Sequence, residues 1–507
     1  MIDFTPIARP LISRRARTLR ENALRLREIQ SKWLEKLISR GRKTEWGERH
    51  NFDKVKDYES FVAAQPQIVS YPDIRAEVMR MVNGERDILW PGRTRNFAQS
   101  SGTSDGKSKY IPITADSFHY SHYRGGADVV ALYLDLVPDS RIFSGKSFIL
   151  GGSFANELDL PEGVRVGDLS ANLIQNINPI VNFFRTPYKK IALLADWYEK
   201  LPALVDVAVR RNVTNISGVP SWFLTVLKLI VERKGASTIH DVWPNLEVFF
   251  HGGISMEPYR EQYRHITDPS RMRYLETYNA SEGFFAVQDD FDARGMMLET
   301  DCGTFFEFLP LDQLDSPDAR PVPAWEVEVG KVYALIITSC NGLWRYNIGD
   351  TVKIESLEPL RVSIAGRTKH FINAFGEELM VDNADKAIAQ VSKEMNAPVL
   401  NYTAAPVYAG DRSRGRHEWL IEFERQPADL AAFAHSLDLA LQSLNSDYQA
   451  KRSGGIFLDE LTIVPGRKGI FDDWLASTGK LGGQRKVPRL SNSRQFMDPM
   501  LEMNARS

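Results

Sequence analysis

Residues 215–219 read as a strand, Pro220–Lys234 as a helix, and residues 246–250 as a second strand that runs into His251-Gly252-Gly253. Strand, helix, strand within one stretch is the α/β signature, and nothing else in the chain narrows its architecture as much. Residues 148–150 extend the pattern upstream as a short buried strand closed by Gly151-Gly152. A long helical region is expected over residues 188–211, with Ile191, Leu194, Tyr198, Leu201 and Leu204 as its apolar positions.

Elsewhere the pattern changes. Over residues 296–355 the helical period disappears, and the runs 305–309, 326–329 and 331–337 point to antiparallel or barrel-like sheet within the same large unit. A boundary follows at residues 366–376, then a helical pattern over 379–395 and a fresh α+β pattern to the C-terminus. The fold expected is therefore α/β. A large N-terminal domain (residues 1–365) holds α/β subdomains plus a β-barrel-like subdomain, residues 366–376 form a hinge, and residues 377–507 form a small mobile α+β domain. At the N-terminus, Leu11, Leu19, Leu24, Leu26, Ile29, Trp33, Leu34 and Leu37 form a rough helical stripe. That stripe predicts an amphipathic helix packed on the main body, rather than the transit peptide that Arg9, Arg14, Arg15, Arg17 and Arg20 also allow.

Composition sets the class. The 507 residues carry 63 Lys+Arg and 65 Asp+Glu, a net charge of −2 that argues against a general polyanion binder, so neither nucleic acid nor a membrane is an expected partner. With 43% hydrophobic and 25% charged residues, the chain has a globular composition and not a disordered one. Cys302 and Cys340 are isolated from each other and from any Cys/His cluster of metal-ligand spacing, which excludes a disulfide framework or zinc site. The longest apolar runs fall short of the ~18 residues that span a bilayer. With no secretory cleavage pattern, the expected location is cytoplasmic.

Four segments bring together residue types that chemistry needs. Ser100-Ser101-Gly102-Thr103-Ser104-Asp105-Gly106-Lys107-Ser108-Lys109 combines glycines that admit close backbone approach, neutral hydroxyl donors and lysine charge, the mix a phosphate requires. It is not a Walker A loop: three residues separate Gly102 from Gly106 where that motif needs four. Tyr278-Asn279-Ala280-Ser281-Glu282-Gly283 places an aromatic face able to stack on a base beside a carboxylate able to hold a hard cation. In Trp344-Arg345-Tyr346-Asn347-Ile348-Gly349-Asp350 the Asp follows a Gly in a sheet-rich region, where it can accept from a ribose diol or simply close a turn. Gly482-Gly483-Gln484-Arg485-Lys486-Val487-Pro488-Arg489 suits a mobile tip that carries a cation to an anionic site, although as a lone charge run it reads as solvated surface.

The order of these segments resembles the adenylate-forming superfamily. The long-form loop Ser100-Ser101-Gly102-Thr103-Ser104-x-Gly106-x-x-Lys109, with residues 278–285 and 345–350, resembles more closely the auxin-responsive Gretchen Hagen family of acyl-acid amido synthetases. The likeness runs from Thr44-Glu45-Trp46-Gly47 to Lys486-Val487-Pro488-Arg489. It implies a ligase that uses ATP and Mg2+ to adenylate a carboxylic acid and then passes the acyl group to an amino acid amine. The resemblance implies that Ser100, Ser101, Gly102, Thr103, Ser104, Gly106 and Lys109 cradle phosphates, and that Gly253, Tyr278, Ser281 and Arg367 help hold the nucleotide. Asp350 would take the ribose, Glu282 the magnesium, and Lys486 would be the mobile lysine, with Lys480 its rival. Tyr120, Tyr123 and Arg124, with Phe118, would line the acyl pocket. His370 and Asn373 depart from the superfamily's hinge pattern of Asp and Lys. A thiol acceptor, as in acyl-CoA ligases, is the alternative reading.

Overall fold

Val248–His251 is buried along its whole length, so its backbone groups need partners on both edges. It pairs in parallel with Val213–Gly218 on one side and with Arg273–Ala280 on the other, and Lys146–Ile149 and Arg185–Thr186 continue the parallel run. The helix Pro220–Lys234 begins on a proline, whose missing N–H costs nothing in a first turn, and ends on Gly235 at φ 58°, the left-handed cap that glycine adopts without strain. Arg273–Ala280 is parallel to one neighbour and antiparallel to the next, Gly283–Val287. Beyond it the sheet is antiparallel through Met296–Leu298, Leu360–Arg367, Leu343–Leu357, Val332–Ser339, Thr304–Pro310 and Val322–Pro323. The computed structural model describes residues 2–506 apart from 101–108, 157, 315, 317–318, 368–370, 409–413, 454–457 and 478–486. Among the described residues, twelve strands make this one mixed sheet. The antiparallel portion expected as a barrel-like subdomain is thus hydrogen-bonded edge to edge with the α/β portion.

After the sheet, the chain forms the expected α+β unit. Val399–Val407, Arg416–Phe423 and Thr462–Gly466 make a three-stranded sheet accompanied by the helices Val381–Glu394 and Leu430–Leu444. This unit packs onto the parallel side, where Ile372, Leu379 and Trp419 share one apolar cluster with Phe148, Phe223 and Phe249. Tyr259 and Ser221 donate to the carbonyls of Ala374 and Phe375, which ties the boundary segment to the N-terminal body. Among the described residues no helix is long and apolar enough to cross a membrane.

Three local expectations change. The N-terminal stripe forms two helices, Thr5–Leu24 and Leu26–Gly41, broken at Arg25. Leu11 and Leu24 are exposed while Ala16, Leu19, Ala23, Trp33 and Leu37 are buried. Arginines help dock it: Arg9 donates to the carbonyls of Leu134 (2.7 Å) and Ser140 (3.0 Å), and Arg15 pairs with Asp128 at 2.7 Å. The helical region over 188–211 is interrupted, because the Asp196 side chain accepts from Tyr198 N and caps a new helix, Trp197–Ala208. Tyr198 is therefore exposed and not part of the apolar face. The run 326–329 is no strand; Ala324–Glu326 is a 3-10 turn ahead of the Val332–Ser339 strand.

One ion pair binds the antiparallel half to the segment before it. Arg345 is 1% exposed and its guanidinium donates to Glu307, itself fully buried, at 2.8 and 3.1 Å. The remaining guanidinium donors satisfy the carbonyls of Gln65 (2.8 Å) and Pro66 (2.9 Å), and Tyr58 donates its hydroxyl to Glu307 at 3.0 Å. Removing one partner strands a buried charge. Arg345→Met is expected to lower unfolding stability by about 3–5 kcal/mol, and Arg345→Met with Glu307→Leu to recover much of it, read from urea denaturation midpoints. A double variant no more stable than the single one would show that the carbonyl contacts, not the ion pair, carry the effect.

Candidate active site

The strand at the change from parallel to antiparallel pairing, Arg273–Ala280, carries Tyr278. Its hydroxyl donates to Asp350 Oδ2 at 2.7 Å, and its ring meets Phe285 edge-on at 5.1 Å. Asp350 follows Gly349, which sits at φ 91°, and pairs through the backbone with Arg367 on the neighbouring strand. Two motifs separated by 72 positions therefore meet in one hydrogen bond, with the start of the boundary segment beside them.

The turn after Val248–His251 crosses close to the same strand. A Cβ on Gly252 would lie 2.4 Å from the Thr277 carbonyl oxygen, so only glycine fits, and Gly253 adopts φ +83°. Ser281 and Glu282 form the tight turn between Arg273–Ala280 and Gly283–Val287, and the amide of Asn341 holds it by donating to the carbonyls of Ser281 (3.3 Å) and Glu282 (2.9 Å). The Glu282 side chain is buried. Ser100 and Lys109 are paired at the ends of two antiparallel strands, Asn96–Ser100 and Lys109–Ile113, which flank the predicted phosphate loop. Ser101, Gly102, Thr103, Ser104 and Gly106 of that loop lie outside the described residues, as do Lys486, its rival Lys480, Lys369 and His370. Beyond Lys486 the chain is anchored: Thr403 donates its hydroxyl to Pro488 O (2.7 Å), and Arg489 pairs with Asp385.

The acyl-pocket candidates occupy a single π-helical turn, Phe118–His122, and the start of the helix after it. Such turns are uncommon and concentrate at functional sites. Ser121 Oγ accepts from Phe284 N at 3.0 Å, which sets this turn against the Ser281-Glu282 turn. Tyr123 stacks on Phe118 and donates to Leu173 O at 2.8 Å, whereas Tyr120 lies under the Lys36 ammonium at 3.5 Å. Arg124 is engaged inside the protein by Asp301, which also accepts from Arg15, Asn22 and Trp33.

A cleft of about 1010 Å3 separates the parallel half from the C-terminal unit, with Gln99 and Tyr110 of the strands flanking the predicted phosphate loop, Gly253 and Trp222 on one wall and Glu378, Asp447 and Lys451 on the other. Trp222, Asp168, Lys200 and Lys451 went unnoticed in the sequence, where each is an ordinary residue in a helix or turn. Burial lowers the Lys200 ammonium to about 8, and it braces the loop at Gly151-Gly152 by donating to the carbonyls of Gly151, Gly152 and Leu194. His251, at the foot of the glycine turn, is buried beside Phe249, and burial pulls it down to about 4.

Family models match the chain in three consecutive pieces: the GH3 family N-terminal domain over residues 15–272, the central domain over 297–367 and the C-terminal domain over 382–495. Among characterised proteins, it is 23% identical to an indole-3-acetic acid-amido synthetase, GH3.3, of Arabidopsis thaliana, across 93% of this chain and 90% of that one. It is 24% identical to a jasmonoyl-L-amino acid synthetase, GH3.5, of Oryza sativa, across 92% of each. Among solved structures it resembles the GH3.15 acyl acid amido synthetase with a TM-score of 0.61 at 18% identity, covering 96% of both chains, a likeness of fold.

The buried histidines make a prediction. His122 and His251 are each held neutral down to about 4 in the folded state, against 6.5 ordinarily. The unfolded chain takes up these protons first as pH falls, so stability is complete above about 6.5 and drains away between 6.5 and 4. From pH 7.5 to 5 each histidine is expected to remove about 2 kcal/mol, and His251→Asn to remove its share of that decline. Urea titrations at several pH values check it; an equal decline in wild type and variant would show that His251 titrates normally.

Proposed function

The chain belongs to the GH3 family, and on that premise we propose that it is an ATP-dependent acyl-acid amido synthetase. A carboxylate oxygen of the acid attacks the α-phosphorus of ATP as the bond to pyrophosphate breaks. An amino acid amine then attacks the acyl carbon, the bond to AMP breaks, and the amine loses its proton. The observation that carries the reading is the Tyr278–Asp350 hydrogen bond, since it gathers into one place the two motifs expected to receive adenine and ribose. An ionised carboxylate is an acceptor suited to a ribose diol. The glycine turn at Gly252-Gly253 fits a close approach of backbone to nucleotide.

The same reading gives the loop from Ser100 to Lys109 the phosphates and Lys486 the role of the cation brought to the reacting phosphate. Magnesium that arrives on a nucleotide needs only one or two protein carboxylates, and Glu282 is the one we assign. Charge neutralisation at the phosphate is the chemistry that ion supplies. The acid would sit beside the Phe118–His122 turn with Tyr120 and Tyr123, and Arg124 is left out because Asp301 engages it. Division into residues 1–365, a hinge at 366–376 and a C-terminal unit at 377–507 is supported by Leu360–Arg367 being, among the described residues, the last strand in chain order of the large sheet, with Gly366 and Arg367 at its end. A cytoplasmic setting supplies ATP and amino acids, and it fits two buried free thiols, Cys302 and Cys340.

The test is pyrophosphate and AMP release from ATP and magnesium across aromatic and fatty carboxylic acids, with pooled amino acids, with coenzyme A, or with neither. Acceleration by amino acids with an amide as product is expected; a thioester formed only with coenzyme A would reassign the acceptor. Lys486→Ala is expected to slow pyrophosphate release by about 100-fold or more with ATP affinity little changed. Asp350→Ala should weaken ATP binding by about tenfold or more, as loss of a charge-assisted hydrogen bond implies, measured by calorimetric titration. Unaltered ATP affinity in that variant would remove Asp350 from the ribose site.

A further inference from the structure

Lys451, on the Ser446–Arg452 helix, is 3% exposed, although an ammonium is among the costliest groups to bury. Its Nζ lies 3.9 Å from the centre of the Trp222 ring, which belongs to the other wall of the cleft. Among the described residues it has neither a hydrogen-bond acceptor nor a carboxylate at ion-pair distance. A cation held against a ring face keeps its hydrogen-bond donors for something else. The surrounding charges say what. Asp168, Asp447, Glu377 and Glu378 all act on Lys451 from beyond contact distance, and Asp168 and Asp447 line the same cleft. Asp447 precedes Lys451 by one helical turn, and Asp168 reaches in from the N-terminal body.

The carboxylates that act on Lys451 disfavour a polyphosphate beside it, although Lys200 and Arg75 also line the cleft. A zwitterion with one carboxylate and one ammonium a few ångströms apart matches this arrangement, the carboxylate toward Lys451 and the ammonium toward the acids. We propose that Lys451 receives the α-carboxylate of the acceptor amino acid, with Asp168 and Asp447 facing its amino group. The inference rests on the amido-synthetase reading and adds a binding residue for its second substrate. Because Lys451 and Trp222 come from opposite walls, the acceptor site is complete only when the C-terminal unit is seated as it is here. The site favours free amino acids over simple amines and over amino acids whose carboxyl is blocked.

Lys451→Met keeps most of the apolar stem against Trp222 and removes the charge; Lys451→Gln serves if the first variant fails to accumulate. Two rates are compared with wild type: acid-dependent exchange of pyrophosphate into ATP, which needs no amino acid, and amide formation over a range of amino acid concentrations. A parallel series uses the matching amino acid carboxamide. The amide-forming kcat/KM is expected to fall at least tenfold more than the exchange rate, mainly through KM, and the preference for amino acid over carboxamide to collapse. Lys451→Arg should restore part of that preference. Equal losses in the two rates would overturn the assignment by placing the cation on the nucleotide or in the fold, and an undiminished preference for the free carboxylate would overturn it as well. Absence of both activities in the wild type, by contrast, would bring down the amido-synthetase reading itself.

Discussion

A strand buried between two others must satisfy its backbone on both edges, and in Arg273–Ala280 the two edges make opposite demands. One bonds in parallel to Val248–His251, the other antiparallel to Gly283–Val287. Parallel strands need crossover helices and antiparallel strands need tight turns, so this strand joins the helix-covered half of the sheet to the hairpin-built half. The Gly252-Gly253 turn arrives at its C-terminal end from one side and the Ser281-Glu282 turn leaves it on the other. Glycine turns, a buried carboxylate and Tyr278 are collected there because the topology changes there.

The rest of the molecule keeps that strand in place by several unlike means. The Arg345–Glu307 pair fastens the antiparallel half to residues 65–66, and Asp301 gathers Arg15, Asn22, Trp33 and Arg124 where the N-terminal helices lie against the body. Apolar packing does the remainder, including the cluster shared by the parallel half and the C-terminal unit. The cleft between those parts is the polar exception, where Lys200, Asp168, Asp447 and Lys451 line a space wide enough for small substrates.

Much of this was legible along the chain. The helix Pro220–Lys234 occurs with the expected limits, since a proline start and a glycine stop are local backbone chemistry. The antiparallel region and the α+β C-terminal unit are also where the pattern placed them. The failures have a common cause. The interruption at Asp196 depends on a side-chain cap that competes with helix propagation, and Leu11 and Leu24 matched an apolar stripe whose buried face is set by what the helix meets. Arg345 sits inside a functional motif, yet it answers to a carboxylate far away in sequence, Glu307.

The sequence by itself determined the layer architecture, the turns and the order of the chemical motifs, because dihedral preference, hydrophobic period and capping act over a few residues. Only the tertiary structure decided which motif residues meet. Tyr278 finds Asp350 across 72 positions, and Lys451 finds Trp222 across a cleft, through strand register and packing that no local pattern encodes. Electrostatics followed from the same source: the character of His251, Lys200 and Lys451 is set by burial and by charges brought near them, and burial is a property of the folded chain.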